Sequence, residues 1–158
     1  MSHTDVLTTL DCGKMFVLSS SQLAKLLRMS CTEDGDRSGW GDALDVGTGD
    51  GDNIARWFDL FSSISCTEVN RKMCEKLRKN RKITQVWETD SLATIPTTFD
   101  VITICNVLDR CDTPASLLRD AYTHLRDSRS RVVVTVPLPL SPSVEAGWGV
   151  WRQPKESL

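Results

Sequence analysis

The stretch ALDVGTGDG, residues 43–51, decides the fold class of this chain. A short apolar strand, residues 43–46, leads into a turn with three glycines, and an amphipathic segment follows from Asn53. A glycine-rich turn between a strand and a helix lets a ligand approach the backbone closely. The stretch therefore predicts a Rossmann-like fold that holds a ligand at this turn.

The charge of the glycine turn indicates which ligand it suits. Asp45 comes two residues before Gly47, and Asp50 and Asp52 follow at the predicted helix entry. These acids would repel a dinucleotide pyrophosphate, whereas they would attract the cationic sulfonium and amino groups of S-adenosylmethionine. We therefore expect Asp45, Gly47 and Gly49 to bind S-adenosylmethionine. The alternative is a strand-to-helix turn in which Asp50 or Asp52 only caps the helix.

Strand and helix patterns alternate after this turn, which predicts an α/β fold with a parallel sheet of about five strands and helices on both faces. The predicted strands are residues 43–46, 63–67, 83–87, 99–105 and 131–136. The predicted helices are residues 20–29 behind a Ser19/Gln22 capping box, 53–61, 70–80, and one that begins at Pro114 with Thr113 as its cap. We expect an N-terminal helical extension over residues 1–40, a Rossmann-like core over 41–140 and an irregular tail over 141–158.

Composition and charge limit the kinds of binding partner and the cellular compartment that we expect for this chain. The 158 residues carry a formal net charge of −2, which argues against a dedicated nucleic-acid binder. Seven cations cluster in residues 71–82, a pattern more often typical of a solvated helix face than of an RNA site. Six cysteines without a C-x-x-C pair predict free thiols in a reducing compartment and no metal site. Residues 1–10 lack the pattern of a secretory signal and no apolar run has the length of a membrane helix, so we expect a soluble, cytoplasmic protein.

Acidic residues follow the second and third predicted strands. Glu68 comes 21 residues after Gly47, where an acid can accept hydrogen bonds from both ribose hydroxyls of the cofactor. The alternative for Glu68 is an exposed loop carboxylate. Asp90 and Ser91 follow the third strand, where a polar side chain could reach the adenine amino group, and a solvated loop pair is an equal alternative.

The fourth predicted strand leads directly into the segment NVLDRCD, residues 106–112. Ligands of open α/β sheets bind outside the carboxyl ends of the strands, so this segment should face the site. Asn106 and Asp109 are three residues apart and project together if the segment turns helically. They would then offer an amide and a carboxylate to a substrate, unless they form only a capping and turn cluster.

Three segments in the same order carry a resemblance to a known family: MFVLS at residues 15–19, LDVGTGDG at 44–51 and NVLDRCDTP at 106–114. With them the chain resembles the DREV, or methyltransferase-like protein 9, family from about Gly13 to Pro154. The match includes VE at residues 144–145 and W-x-x-P at 151–154. The Asn-x-x-Asp-Arg-Cys-Asp segment is more specific than the glycine turn.

The resemblance implies a protein-histidine methyltransferase that uses S-adenosylmethionine and modifies histidines in His-x-His stretches of a protein or peptide substrate. It implies that Glu68 and Asn106 contact the cofactor and that Asp109 engages the substrate imidazole. A carboxylate that holds one ring N–H fixes the tautomer and stabilises the charge that develops during transfer. We therefore expect Asp109 and Asn106 to be the catalytic residues.

Two departures from the family lead to further expectations. The family continues past the W-x-x-P segment with further strands and a C-terminal tyrosine, so we expect a shortened form without the C-terminal strands. Family members also carry an N-terminal secretory or anchor-like segment that this sequence does not show.

These departures leave two alternative functions open. A catalytically inactive form could act as a binding or regulatory module and self-associate through the edge of the fifth strand, whose residues 132–136 read as buried on both faces. An RNA methyltransferase, the weaker alternative, would require the basic segment 71–82 to lie beside the mouth of the site.

Overall fold

A computed structural model describes residues 16–28, 39–147 and 149–158. Its centre is a parallel sheet of five strands in the order β3-β2-β1-β4-β5. The strands are β1 Trp40–Val46, β2 Phe61–Glu68, β3 Ile83–Glu88, β4 Val101–Cys105 and β5 Arg131–Thr135. The predicted α/β class with a five-stranded parallel sheet is therefore confirmed.

The strand order places a reversal of direction between β1 and β4. The chain runs outward from β1 through β2 to β3, then returns so that β4 lies on the other side of β1. Asp45 of β1 consequently lies beside Cys66 of β2 and Thr103 of β4. Loops that leave neighbouring strands in opposite directions open a crevice at the carboxyl edge of the sheet. The glycine turn begins at this crevice.

The hydrophobic core consists of two layers, one on each face of the sheet. Successive strand residues point to opposite faces, so Ala43 packs in one layer and Leu44 in the other. The first layer contains Leu23, Leu27, Ile54, Trp57, Leu60, Cys74 and Leu77. The second layer contains Leu92, Ile95, Leu108, Leu117 and Ala121.

The described α-helices are α1 Ser20–Leu26, α2 Arg71–Leu77 and α3 Pro114–Thr123. The capping box before α1 is confirmed, because Ser19 accepts from the Gln22 backbone N–H and the Gln22 side chain accepts from the Ser19 N–H. Thr113 is the N-cap residue of α3 and Pro114 the first helical residue, as predicted, but the Thr113 side chain makes no capping hydrogen bond. No helix within the described ranges combines the length and apolarity that a bilayer crossing requires.

Residues 53–61, predicted as one α-helix, form two 3₁₀ turns instead, Ile54–Arg56 and Phe58–Leu60. That prediction is wrong: Phe61 already pairs with Trp40 in the sheet, and the residues before it close hydrogen bonds between residues three apart, such as Trp57 N–H to the Ile54 carbonyl, rather than a continuous α-helical ladder. A 3₁₀ turn rises about 2.0 Å per residue against about 1.5 Å in an α-helix, so it covers the same distance with a shorter chain.

The region after β4 departs from the sequence prediction in two places. The fifth strand is not buried on both faces, because Val134 is 41% exposed and its neighbours are half-buried. The tail predicted as irregular contains an antiparallel hairpin of β6 Val144–Glu145 and β7 Trp151–Arg152. The exposure of β5 depends on what packs against it, and strands of two residues are too short to show an alternating pattern, so neither feature could be predicted from the local sequence.

Candidate active site

The glycine turn follows β1 in a backbone conformation that favours glycine. Gly47 and Gly49 have φ angles of +67° and +65°. A Cβ atom on Gly47 would lie 2.6 Å from Cγ2 of Val107, in the turn after β4. The two turns therefore touch, and a larger residue at position 47 would push them apart.

Asp45 is a buried carboxylate at the end of β1. It is 4% exposed, its Oδ1 accepts a hydrogen bond from Thr103 Oγ1 at 2.5 Å, and its Oδ2 accepts one from Thr48 Oγ1 at 2.7 Å. Burial raises the pKa of Asp45 to about 6, and the two hydroxyl hydrogen bonds offset part of that effect. A cationic ligand beside this carboxylate would lower the cost of its ionisation.

Glu68 joins the end of β2 to the glycine turn. Its Oε2 accepts from the Gly49 N–H at 2.8 Å, and its Oε1 accepts from the Val69 and Asn70 N–H groups at 2.9 and 2.8 Å. The alternative of an exposed loop carboxylate is wrong, because Glu68 is buried. A carboxylate oxygen has more than one acceptor direction, so a ribose hydroxyl can still donate to Oε2. The ribose role stays a prediction.

Asp90 and Ser91 lie after β3, one strand farther from the crevice. Asp90 is exposed. Ser91 Oγ accepts from the Ala93 N–H at 3.3 Å and caps a short 3₁₀ turn, Leu92–Thr94. The structure thus gives Ser91 a local role, while contact of Asp90 with adenine stays a prediction.

Asn106 links β4 to β5 in an unusual backbone conformation. Its φ is +55°, a left-handed value that asparagine tolerates better than most residues. Its N–H donates to the Thr135 carbonyl at 2.9 Å, and its Oδ1 accepts from Thr135 Oγ1 at 3.4 Å. The residue therefore turns the chain sharply at the carboxyl edge of the sheet.

Asp109 lies in the turn that follows Asn106. The N–H groups of Arg110 and Cys111 both donate to the Val107 carbonyl, so the segment turns helically from Val107, after the left-handed backbone of Asn106. Asp109 is 7% exposed, and its buried Oδ1 has no hydrogen-bond partner in the described part of the chain. Its Oδ2 lies 3.5 Å from Arg110 Nε, a long ion pair. A buried acceptor without a donor costs about 1–3 kcal/mol, so Oδ1 is an acceptor poised for a donor from outside.

The structure brings most of the predicted site residues to one edge of the sheet. Hydrogen bonds connect Glu68 with the glycine turn, and the contact of Gly47 with Val107 connects that turn with the segment of Asn106 and Asp109. The hydroxyl groups that hold this arrangement were not predicted. These hydroxyl groups belong to Thr48, Thr103 and Thr135. The one sequence feature that could have indicated them is a polar residue inside an apolar strand or turn.

In the described ranges the cysteines and acids supply no other reactive group. Cys66, Cys74, Cys105 and Cys111 are free thiols there, while Cys12 and Cys31 lie outside the described residues. Burial, with a smaller contribution from the Asp45 charge, raises the pKa of Cys66 and of Cys105 to about 12, so both thiols stay protonated at neutral pH. No group of three His, Cys, Asp or Glu side chains in the described ranges could hold a metal ion.

The basic segment 71–82 faces solvent. Its seven cations are all exposed, and two of them pair with acids, Arg71 with Glu75 and Arg78 with Glu88. This is the arrangement of a solvated helix face.

Three solved structures share this fold. The sugar N-methyltransferase KedS8 from Streptoalloteichus matches 87% of this chain and 55% of its own, with a TM-score of 0.65 at 20% identity. DesVI from Streptomyces venezuelae matches 87% and 58%, with a TM-score of 0.60 at 20% identity. CalS10, an amino pentose methyltransferase from Micromonospora echinaspora solved with SAM bound, matches 80% and 59%, with a TM-score of 0.55 at 15% identity. This chain spans little more than half the length of each protein, and the likeness shows the fold alone.

The sequence model of one family covers the chain more completely. The model of the DREV methyltransferase family matches residues 1–158. That range includes the glycine turn, the acid after β2 and the Asn106–Asp112 turn, which are the features that meet at the carboxyl edge of the sheet. The chain therefore belongs to the DREV methyltransferase family.

Proposed function

We propose that this protein binds S-adenosylmethionine at the carboxyl ends of β1 and β2 and methylates a histidine side chain in a His-x-His stretch of a protein substrate. The observation that carries the proposal is the buried, unpartnered Oδ1 of Asp109, which lies in the turn whose Val107 contacts Gly47. Family membership and the residue types support the cofactor, and the resemblance supports histidine as the acceptor.

The cofactor half of the site fits a cationic ligand. The glycine turn leaves room for a ligand to approach the backbone, and Asp45 is a carboxylate whose ionisation a nearby cation would favour. Glu68 would receive the ribose hydroxyls, and Asn106 would contact the cofactor from the other side of the crevice. S-adenosylmethionine, when bound, supplies an electrophilic methyl group.

The substrate half of the site fits an imidazole. Asp109 Oδ1 accepts the N–H of one ring nitrogen, which leaves the other nitrogen neutral with its lone pair free to attack. As the new N–C bond forms, the ring becomes cationic and Asp109 stabilises the charge. When the methylated ring leaves the enclosed site, its N–H proton passes to solvent and the ring is neutral again.

Burial makes the Asp109 interaction strong and selective. The new hydrogen bond is charge-assisted and forms away from water, where electrostatic interactions are strongest. Because Oδ1 is enclosed, substrate binding has to open its immediate cover, and the gain from the new bond favours that opening.

Substitution of Asp109 tests the proposal directly. Asp109→Asn should lower the kcat for transfer to a His-x-His peptide by about 10²-fold or more, because the amide cannot stabilise the ring charge. S-adenosylhomocysteine should bind with unchanged affinity in calorimetric titration, since Asp109 does not contact the cofactor. Asp127→Asn, in a turn at the opposite edge of the sheet, is the matched control and should keep full activity.

Two results would contradict the proposal. Unchanged methyl transfer by Asp109→Asn would show that this residue does not engage the substrate. Failure of the well-folded, unsubstituted protein to bind S-adenosylhomocysteine would remove the enzymatic function altogether.

The outer edge of β5 favours a second candidate function. In the described part of the chain β5 pairs only with β4, and Val134 lies exposed on it. An open apolar edge can pair with another strand, so an inactive form could act as a binding module that self-associates. Size-exclusion chromatography across a range of concentrations tests this function, and a monomer throughout would argue against it.

A further inference from the structure

We propose that the segment 143–156, here named the strap, positions Asp109 for methyl transfer through a latch between Asp112 and Arg152. This inference rests on the proposed function and names further residues of the same site. Residues in the strap contact the Asn106–Asp112 turn at Asp109 and at Asp112, and they contact the first turn of α3 at Ser116.

The latch is a cluster of charged hydrogen bonds on Asp112. The guanidinium of Arg152 donates to both carboxylate oxygens, at 2.6 and 2.8 Å, and Lys155 Nζ lies 2.8 Å from Oδ2. The backbone N–H groups of Lys155 and Glu156 donate to the Asp112 carbonyl at 2.9 and 3.2 Å. A bidentate arginine fixes orientation as well as distance, so the cluster holds the C-terminal end of the turn in one position.

The other two contacts lie on either side of the latch. The Ser143 N–H donates to the carbonyl of Asp109 itself at 2.8 Å. Glu156 accepts from both the N–H and the hydroxyl of Ser116, at 2.8 and 2.5 Å, and so caps the first turn of α3. The strap therefore contacts the turn at Asp109 and contacts the helix that the turn leads into.

The hairpin couples the latch to Asp109. Val144 pairs with Arg152 across β6 and β7, and Ser143 is the residue directly before Val144. Release of Arg152 from Asp112 would therefore loosen the hairpin and, with it, the hydrogen bond from Ser143 to Asp109. Arg152 and Lys155 hold the pKa of Asp112 well below its usual range, so the latch stays charged at neutral pH.

The position of Asp109 matters because transfer needs an aligned imidazole. A displacement of about 1 Å in a catalytic group can lower a rate by about 10²-fold even when the change is remote. Asp112 and Arg152 contact no reacting atom in this scheme, so they are positioning residues.

The test compares Asp112→Asn and Arg152→Gln with the unsubstituted protein. Each should lower the kcat at saturating His-x-His peptide by about tenfold, with the affinity for S-adenosylhomocysteine unchanged and the peptide KM little altered. Arg152→Lys keeps the charge and loses the bidentate contact, so its kcat should lie between those of these two variants and that of the unsubstituted protein. Asp127→Asn removes an equivalent surface pair with Arg129 and is the matched control with no effect.

A second measurement reports on the turn without any activity. Backbone amides of residues 106–112 should exchange with deuterium about tenfold faster in Asp112→Asn, while those of β1 and β2 should not change. If the unsubstituted protein methylates no His-x-His peptide, the proposed function fails and this exchange measurement alone decides the latch. Unchanged exchange, an unchanged kcat, or a kcat raised by release of the strap would each overturn the inference.

Discussion

The two edges of the central sheet both contain buried or half-buried aspartates, but the groups that contact those carboxylates differ between the edges. At the amino edge Arg126 donates to Asp42 and to Asp100, and Ser63 donates to Asp42 at 2.6 Å. The Ser63 hydrogen bond, followed by that of Arg126, lowers the pKa of Asp42. The two carboxylates at this edge share one cation that the fold supplies.

At the carboxyl edge Asp45 and Glu68 are held by hydroxyl and backbone N–H groups instead. Asp45 receives two threonine hydroxyls, Glu68 receives three backbone amides, and Asp109 keeps an oxygen without a partner. These contacts fix orientation but leave negative charge largely uncompensated. The difference separates an edge that stabilises the fold from one arranged for a ligand.

Substitution of Gly47 should produce the largest loss of stability, because the carboxyl edge depends on close contact of two turns. Gly47→Ala should cost about 3 kcal/mol of unfolding free energy, from the left-handed backbone and the clash with Val107. Gly49→Ala, with a similar φ and open space around its Cβ position, should cost only about 1 kcal/mol. Denaturant titration measures both. Equal losses would mean that the turns do not interlock, whereas recovery by Val107→Ala would confirm that they do.

Substitution of Asp45 should change stability with the opposite sign from substitution of Asp42. The folded pKa of Asp45, about 6, lies above its ordinary value of 3.8, so its ionisation destabilises the fold as pH rises through this window, by about 3 kcal/mol at neutral pH. Asp45→Asn should therefore stabilise the ligand-free protein by about 1–2 kcal/mol near neutral pH, since the amide gives up one acceptor oxygen. The gain should vanish below about pH 4.

Asp42→Asn is the matched comparison for that experiment. The lowered pKa of Asp42 gives stability that is present above its ordinary value of 3.8 and is lost as pH falls through the folded value. This variant should thus be less stable than the unsubstituted protein near neutral pH and no different in acid. If both variants shift in the same direction, the two edges do not differ as described.

Substitution of Arg126 should have the smallest effect of the three. Arg126→Met keeps the unbranched apolar stem of the side chain and leaves Asp42 and Asp100 without their shared cation, at a cost of about 1 kcal/mol for these partly exposed pairs. The cost should shrink in high salt, while that of Gly47→Ala should not, because salt screens charges and leaves steric contacts unchanged. Thermal unfolding at two salt concentrations separates the cases.

The sheet could be predicted from the sequence because its signals are local. Short apolar runs and the glycine turn lie within a few residues of each other, and the five strands fall where those runs occur. The structure of the 53–61 segment could not be predicted in this way, since its helical pattern competes with the pairing of Phe61 in β2. The exposure of Val134 likewise depends on what lies beyond β5, which no pattern within residues 131–136 records.

The candidate site likewise has residues that could be predicted from local sequence and residues that could not. Asp45, Glu68 and Asn106 could be placed from the sequence because each directly follows or ends a predicted strand, and all three lie at the carboxyl edge. The residues that hydrogen-bond to these side chains could not be predicted. Thr103 lies 58 residues from Asp45 in the sequence, and a hydroxyl in a strand has many possible uses. The functional roles of the site residues stay predictions that the experiments above address.

The cap on α3 has a consequence for the order of events during synthesis. Ser116 and Glu156 are 40 residues apart, so the first turn of this helix lacks its carboxylate until the ribosome has released the later segment. The five strands are all made before that moment. The growing chain can therefore assemble the carboxyl edge of the sheet before the first turn of α3 receives its cap.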